Sequence, residues 1–239
     1  MSKRTNTFES GENPFALSIG DLMAALLLIF VLLLASTLLK LQDEFDNKSM
    51  VAERYNEVKE NLYIVLNEEF KADLLRWNAE IDKANLSIRF KEPDVLFDKS
   101  KYEVKTQFRK VLSDFFPRYI KVLSNKNFKN NIEEIRIEGH TDSDGPTIGK
   151  DKDYDYFYNM ELSQERTKGV LQLSLQTLES TSLRKWVQER LTANGLSSSK
   201  TINYENGLED KKSSRRVEFK IRTNAEEQIL EILKYGDKK

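Results

Sequence analysis

The sequence predicts an α+β protein in which a single transmembrane helix and a helical stalk precede a domain of helices packed on one sheet. Three observations carry this prediction. A long apolar run lies near the N-terminus, and a stretch without Gly or Pro follows it. Sequence patterns typical of strands and of helices then alternate along the rest of the chain. The 239 residues therefore divide by pattern into a membrane part and a polar part.

The apolar run, residues 15–39, is the predicted transmembrane helix. No polar side chain interrupts it between Leu22 and Ala35, and it exceeds the roughly 20 residues that a bilayer core of about 30 Å requires. A cleaved signal peptide is one alternative, but its apolar core would be shorter and would follow its basic residues more closely. A buried helix of a soluble domain is disfavoured because the run is apolar on all sides.

The charges on either side of this helix predict its orientation. Lys3 and Arg4 lie in the N-terminal tail, residues 1–14, whereas acidic residues dominate just after the apolar run. The positive-inside rule therefore places the tail in the cytoplasm. Most of the chain would then lie on the other side of the membrane.

Asp21 is the candidate ion-binding residue, since it lies within the predicted transmembrane helix. A carboxylate in the apolar interior costs about 2.5 to 3.5 kcal/mol on insertion scales, so such residues tend to face a partner or a water-filled path. Ala24 and Ala25 lie beside it and would let a second helix approach closely. The alternative is that Asp21 lies at the membrane surface and caps the start of the helix. The sequence leaves both interpretations open.

Residues 40–84 form the predicted helical stalk, which as a helix extends to about Lys83. Its apolar residues step by four and three, the a/d pattern of a coiled coil, at Val51, Tyr55, Val58, Leu62 and Val65. This pattern favours a stalk that dimerises near the membrane. It is equally typical of a long amphipathic helix that lies on the domain after it.

Residues 85–223 form the predicted α+β domain. Its strands are predicted from alternation of apolar and polar residues, and its helices from the longer helical period. The predicted order is strand 86–90, helix 102–122, strand 132–138, helix 163–178, helix 183–191 and strand 216–221. Residues 143–158 are rich in Asp, Gly and Tyr and are predicted to form a solvated acidic loop. The tail, residues 224–239, is predicted to contain one short helix at 225–234.

Composition excludes several classes of site. The chain contains no cysteine, which rules out disulfides, thiolate metal sites and cysteine nucleophiles. Its single histidine cannot form a metal site of the two- or three-histidine kind within one chain. The net charge of −1 gives no indication of a nucleic-acid partner. We expect neither a bound metal nor an organic cofactor.

Four short motifs occur in order in the C-terminal part: Gly-His-Thr-Asp at 139–142, Asn159, Leu-Ser-x-x-Arg at 162–166 and Ser-Arg-Arg-Val-Glu at 214–218. Together they resemble the OmpA/MotB-type peptidoglycan-binding domain, whose signature has the same elements in the same order. The resemblance implies an OmpA-like α/β sandwich that binds peptidoglycan and is not an enzyme. A hydrolase of glycosidic bonds would need two carboxylates across the bond, and no motif supports Glu138 and Asp142 as such a pair.

The resemblance also implies a site for the diaminopimelate of peptidoglycan stem peptides, formed by Thr141, Asp142, Asn159, Leu162 and Arg166. In this assignment Asp142 takes the ammonium group and Arg166 takes the carboxylate. The chemistry agrees, because the planar guanidinium of arginine binds a carboxylate through two hydrogen bonds.

Other interpretations of these residues exist. Ser163 could be an ordinary residue at the start of a helix, with Arg166 as its exposed neighbour. Arg215 and Arg216 are assigned to support of the fold more than to the ligand. The connection between Asp142 and Asn159 is longer than the family pattern leads us to expect, and it could remodel the pocket or contact a partner.

The N-terminal part extends the resemblance. A short tail, an aspartate at the start of a single span, a helical stalk and an OmpA-like domain together resemble MotB, the B subunit of ion-driven stators. The whole chain most resembles the MotB-like components of Zorya anti-phage defence systems. A flagellar-type stator subunit and a passive envelope tether are the alternatives.

This resemblance implies a set of partners and a location. Asp21 would bind the translocated H⁺ or Na⁺, and two B subunits would form a homodimer inside a ring of multi-span A-type subunits. The chain would lie in the bacterial inner membrane, with its N-terminus in the cytoplasm and its C-terminal domain in the periplasm, bound to peptidoglycan.

Overall fold

The computed structural model describes residues 14–91, 96–98 and 101–224, and the chain divides into two compact units on either side of residue 50. The helices are α1 (Pro14–Phe70), α2 (Thr106–Leu123), α3 (Lys152–Gln176), α4 (Thr181–Gln188) and α5 (Lys211–Ser214). The strands are β1 (Ala79–Asp82), β2 (Ser87–Lys91), β3 (Ile132–His140), β4 (Leu191–Gly195) and β5 (Arg216–Thr223). The predicted N-terminal tail and the predicted helix 225–234 lie outside the described residues.

The first unit contains one helical segment that is long and apolar enough to cross a membrane. This segment of α1 runs from Ser18 to Asp46, has a mean hydropathy of 2.9 and is not buried by the rest of the described chain. Its length comes from the Leu- and Ala-rich composition, since both residues favour helix and no proline interrupts them. The predicted helix from residue 15 to 39 is therefore present.

The second unit is built on a five-stranded sheet with the order β1-β2-β5-β3-β4. Neighbouring strands are antiparallel, except that β3 and β4 are parallel. Parallel strands need a long crossover connection, and α3 and α4 provide it between β3 and β4. The predicted α+β class is confirmed.

Aromatic rings fill the space between the sheet and the helices. The ring of Phe115 on α2 lies 5.1 Å from that of Phe90 on β2 and 5.0 Å from that of Phe219 on β5. The end of α1 joins this cluster, because the ring of Phe70 lies 5.3 Å from that of Phe115. Leu66 and Leu62, one and two turns earlier on α1, are also buried. The last turns of α1 thus belong to the core of the domain.

The structure corrects the prediction for the stalk. The helix predicted to reach Lys83 ends at Phe70, and Ala79–Asp82 instead form the edge strand β1. This strand has little intrinsic strand pattern, and its antiparallel pairing with β2 overrides its helical propensity. The residues of the predicted heptad pattern do not share one exposed face. Leu62 is buried in the chain's own domain, whereas Val65 is 39% exposed. For this part of α1 the interpretation as an amphipathic helix lying on the domain is the correct one.

Two further predictions of secondary structure were wrong. Helix α3 begins at Lys152 rather than at Ser163, because the Asp151 side chain caps it by accepting a hydrogen bond from the Tyr154 N–H at 3.0 Å. The helix predicted over 183–191 ends at Gln188, and Leu191 opens the strand β4.

The sheet face that turns away from these helices carries a network of ion pairs. Glu218 Oε1 accepts hydrogen bonds from Arg216 Nε at 2.5 Å and from Arg89 Nε at 2.9 Å. Burial alone would raise the pKa of Glu218, but the two guanidinium groups outweigh it and hold that pKa at about 2. His140 is buried beside this network, and its burial lowers its pKa below the ordinary 6.5.

The packing of α1 leads to a first prediction. Phe70→Ala should lower the free energy of unfolding of the domain by about 3 to 5 kcal/mol, because it leaves a cavity in the aromatic cluster. Ile64→Ala, on the same helix but 48% exposed, should change it by less than about 0.5 kcal/mol. Denaturant unfolding of the detergent-solubilised chain, followed by tryptophan fluorescence, measures both. Equal effects of the two substitutions would mean that the end of α1 is not part of the core.

The buried charges lead to a second prediction, that stability falls as the medium becomes acidic. In the unfolded chain, His140 and Glu218 bind protons below their ordinary pKa values of 6.5 and 4.5. In the folded chain both pKa values are lower, and that of Glu218 is about 2. Acid therefore favours the unfolded chain, which binds more protons. The denaturant midpoint should therefore decrease from neutral pH towards pH 2. His140→Gln should remove the earliest part of this decrease. A midpoint that is the same at pH 3 as at neutral pH would contradict the prediction.

Candidate functional site

A cleft of about 590 Å³ opens where β3 ends, beside the first half of α3. All the residues predicted to bind the wall line it, namely Thr141, Asp142, Asn159, Leu162 and Arg166. The loop after Asp142 forms another wall, and Phe97 and Arg215 complete the lining. The structure therefore brings the predicted residues into one place, although they come from two different elements.

Two glycines let α3 lie close enough to the sheet to form this cleft. A Cβ atom on Gly139 would stand 2.6 Å from Thr167 Cγ2 and 3.0 Å from the Ser163 carbonyl oxygen. A Cβ atom on Gly195 of β4 would collide with the backbone of Gln164. Only glycine leaves room for this approach. The Gly of the Gly-His-Thr-Asp motif thus sets the distance between the end of β3 and the middle of α3, the helix that carries Arg166.

Asp142 forms an ion pair within the cleft. Its Oδ2 atom lies 2.6 Å from Nη1 of Arg215, which immediately precedes β5. The Asp142 side chain is 10% exposed and the Arg215 side chain is 33% exposed. Arg215 was assigned to the fold from the sequence, but the structure places it on the cleft wall. The pair joins two segments that are 73 residues apart in the chain, and no sequence pattern indicates it.

Backbone carbonyl oxygens hold the guanidinium group of Arg166 in place. Its Nε donates to the Lys101 carbonyl oxygen at 2.8 Å, and its Nη2 lies 3.4 Å from that of Asp98. The guanidinium carbon lies 4.8 Å from the centre of the Phe97 ring, an arrangement that favours the cation through its contact with the π face. Arg166 is buried. The alternative that Arg166 is an exposed neighbour of a helix start is therefore wrong.

Asn159 and Thr141 shape the same cleft in different ways. The Asn159 amide nitrogen donates to the carbonyl oxygens of Asp142 at 3.2 Å and Asp144 at 2.9 Å, which fixes the chain after β3. The Thr141 N–H donates to the Ser197 carbonyl oxygen at 3.0 Å. The Thr141 hydroxyl is buried and has no hydrogen-bond partner among the described residues. A buried hydroxyl without a partner is costly.

The loop between β3 and α3 differs from the prediction of a solvated acidic loop. Asp155 is 2% exposed. It accepts hydrogen bonds from the N–H groups of Thr147 at 2.9 Å and Gly149 at 2.7 Å, and from the Thr147 hydroxyl at 2.7 Å. Burial would raise the pKa of Asp155, but these donors outweigh it and lower that pKa. Asp155 thereby shapes the loop whose residues Pro146 and Ile148 line the cleft.

One group of side chains has the donor types of a metal site. Among the described residues, Glu138, His140 and Glu218 place their ligand atoms within 4.8 Å of one another. Glu218 already accepts hydrogen bonds from two guanidinium groups, and His140 Nε2 lies 3.6 Å from Glu138 Oε2. The cationic surroundings oppose a divalent ion, so the group is better described as a buried ion-pair network.

Asp21 belongs to the first unit, whereas all the residues that line the cleft belong to the second. It lies on α1 within the apolar segment, and its side chain is exposed in the single chain.

Comparison with known proteins finds relatives that match most of the chain. No protein-family model matches it. It is 42% identical to the Zorya protein ZorB of Escherichia coli strain Crooks over 93% of each chain. It is 24% identical to the Zorya protein ZorB of another Escherichia coli strain, over 89% of this chain and 82% of that one.

Among solved structures, a MotB-like protein from Desulfovibrio vulgaris matches with a TM-score of 0.48 and 21% identity. The match covers 70% of this chain and 95% of that one. The relationship to ZorB stands on sequence identity over nearly the whole chain. The protein therefore belongs to the family of the Zorya protein ZorB.

Proposed function

We propose that the chain is the peptidoglycan-anchored B subunit of an ion-driven membrane motor that acts in anti-phage defence. The observation that carries the wall-binding part is that Thr141, Asp142 and Arg166 line one cleft. Membership in the ZorB family supports the part in defence. The proposal keeps the division into tail, span, stalk, wall-binding domain and C-terminal tail, with the stalk helix ending at Phe70.

The cleft suits a ligand that carries both charges on one side chain. Diaminopimelate ends in an ammonium group and a carboxylate on the same carbon. The carboxylate of Asp142 takes the ammonium, and the guanidinium of Arg166 takes the carboxylate. Asn159 keeps the loop in position, and Thr141 and Leu162 line the cleft beside the methylene groups.

The apolar segment of α1 is the membrane span in this proposal. The N-terminal tail lies in the cytoplasm, and the wall-binding domain lies in the periplasm, as the positive-inside rule favours. Two copies pair within a ring of multi-span A-type subunits. Asp21 of each copy binds and releases H⁺ or Na⁺ as the ion moves down the membrane potential, which is worth about 2.3 kcal/mol per charge per 100 mV.

Anchoring determines which part moves. A B subunit that is held by the wall cannot turn freely, so ion flow turns the surrounding ring instead. In the defence setting, that rotation would carry the signal of phage invasion to cytoplasmic effectors. The cleft and Asp21 therefore serve one mechanism from the two units of the chain.

Wall binding gives a third prediction. Asp142→Asn and Arg166→Gln should each weaken binding of the detergent-solubilised chain to purified peptidoglycan by about tenfold or more, since each removes one partner of a charge pair. Asp153→Asn removes the same charge from an exposed position that does not line the cleft, and should have no effect. Co-sedimentation with peptidoglycan measures all of them, and the thermal midpoint shows that each variant is folded. Folded variants that all sediment like the native chain would contradict wall binding through this cleft.

The ion-binding role gives a fourth prediction. Asp21→Asn should abolish protection of cells against phage while leaving assembly with the A-type subunits and wall binding intact, because asparagine neither gains nor loses a proton. Asp43→Asn, on the same helix beyond the predicted span, should protect like the native chain. The efficiency of phage plating and co-purification of the partner measure the two properties. Protection retained by Asp21→Asn would leave the chain a passive tether, with Asp21 as a helix cap.

A further inference from the structure

A second cavity, of about 320 Å³, lies beside the turn that joins β1 to β2. Residues 84–86 of this turn form part of its lining, together with four cationic side chains, those of Lys59, Arg136, Lys220 and Arg222. We call this cavity the basic pocket. It shares no residue with the cleft, and none of the described residues that line it is acidic. Its lining therefore suits an anionic ligand.

Two of these cations face each other across the sheet. Lys220 on β5 and Arg136 on β3 are directly opposite in the antiparallel register. Like charges in this arrangement repel each other and destabilise a sheet. Arg222 lies two residues further along β5, and so on the same face as Lys220, while Lys59 comes from α1. An anion between Lys220 and Arg136 would replace their repulsion with two attractions.

The acids near the basic pocket are engaged with other groups. Glu134 Oε2 accepts hydrogen bonds from Arg136 at 2.7 Å and from Arg222 at 3.1 Å. Glu138 Oε1 lies 3.5 Å from Nη1 of Arg136. Lys220 lowers the pKa of Glu138 through its charge, but within the described part of the chain its ammonium group forms no hydrogen bond or ion pair. Lys220 is therefore a partly buried cation that the described residues leave without a direct anionic partner.

We propose that the basic pocket binds a phosphate group. A phosphate monoester carries about −1.5 to −2 charges at neutral pH and presents three acceptor oxygen atoms, so it can meet cations that come from different elements. Arginine contacts such a group through its planar fork and lysine contacts it as a point charge. A carboxylate brings a single charge and matches fewer of the four cations. The volume lies within the range of small-ligand pockets, about 300 to 1,000 Å³, so the phosphate can carry a substituent.

A bound phosphate would connect α1 to the sheet. Lys59 lies in the part of α1 that belongs to the second unit, and its Nζ already donates to the Ala84 carbonyl oxygen at 2.5 Å. A ligand that contacts Lys59, Arg136 and Lys220 together therefore binds only the folded chain and stabilises it. This inference goes beyond the proposed function, because no residue of the basic pocket takes part in wall binding or ion transport there.

Calorimetry of the detergent-solubilised full chain tests the proposal, with sodium pyrophosphate as the probe and sodium chloride of equal ionic strength as the reference. Lys220→Gln should weaken pyrophosphate binding by about tenfold or more, since it removes one partner of a charge pair. Lys220→Arg keeps the charge and should retain most of the affinity. Lys126→Gln removes an exposed lysine that does not line the pocket, and should bind pyrophosphate like the native chain.

The thermal midpoint separates a binding role of Lys220 from a structural one. Without pyrophosphate, Lys220→Gln should unfold at a higher temperature than the native chain, because its repulsion with Arg136 is gone. Pyrophosphate should raise the midpoint of the native chain more than that of the variant. Co-sedimentation with peptidoglycan should be the same for both, since Lys220 does not line the cleft. A lower midpoint of Lys220→Gln without pyrophosphate would make Lys220 a structural residue and count against the proposal.

A second probe distinguishes the two sources of a phosphate group. Dihexanoyl phosphatidic acid, a short-chain lipid, carries the phosphate on a head group, and its affinity is measured in the same way. Tighter binding of this lipid than of pyrophosphate would identify a phospholipid head group as the ligand, and the reverse order a soluble phosphate compound. A native chain that binds neither probe, or a Lys220→Gln variant that binds both as tightly as the native chain, would overturn the phosphate site and leave wall binding through the cleft unaffected.

Discussion

The close approach of α3 to the ends of β3 and β4 is the constraint on which the rest of the site depends. Gly139 and Gly195 are the residues that allow it, because a side chain at either position would meet the backbone of α3. The approach brings Arg166 on the helix to the cleft that Asp142 enters from the end of the strand. An acid and an arginine that are far apart in sequence then line the same cleft.

Buried charges in this domain have three separate tasks. Glu218 joins Arg89 and Arg216 on the charged face of the sheet and contributes to the fold. Asp155, in the first turn of α3, accepts hydrogen bonds from N–H groups of the preceding loop and so shapes one wall of the cleft. Asp142 pairs with Arg215, and both side chains line the cleft. The first two acids are satisfied by fixed groups away from the cleft lining, whereas Asp142 lies on the cleft wall.

Much of this was predictable from the sequence, and the failures have physical reasons. The apolar span and the order of the main strands and helices follow from periodicity, and the motif residues do meet in one cleft. The short strands β1 and β4 were missed because their pairing with neighbours, rather than their own pattern, makes them strands. Asp155 and Arg215 were misassigned because burial and partner choice depend on segments that meet only in the folded chain.

The central claim is that the cleft holds the zwitterionic end of a peptidoglycan stem peptide. A structure of the full chain bound to a diaminopimelate muropeptide tests it most directly. The account predicts the ligand's ammonium group within hydrogen-bond distance of the Asp142 carboxylate, and its carboxylate against the Arg166 guanidinium. A muropeptide bound elsewhere on the domain, with the Asp142–Arg215 ion pair intact and the cleft empty, would contradict it.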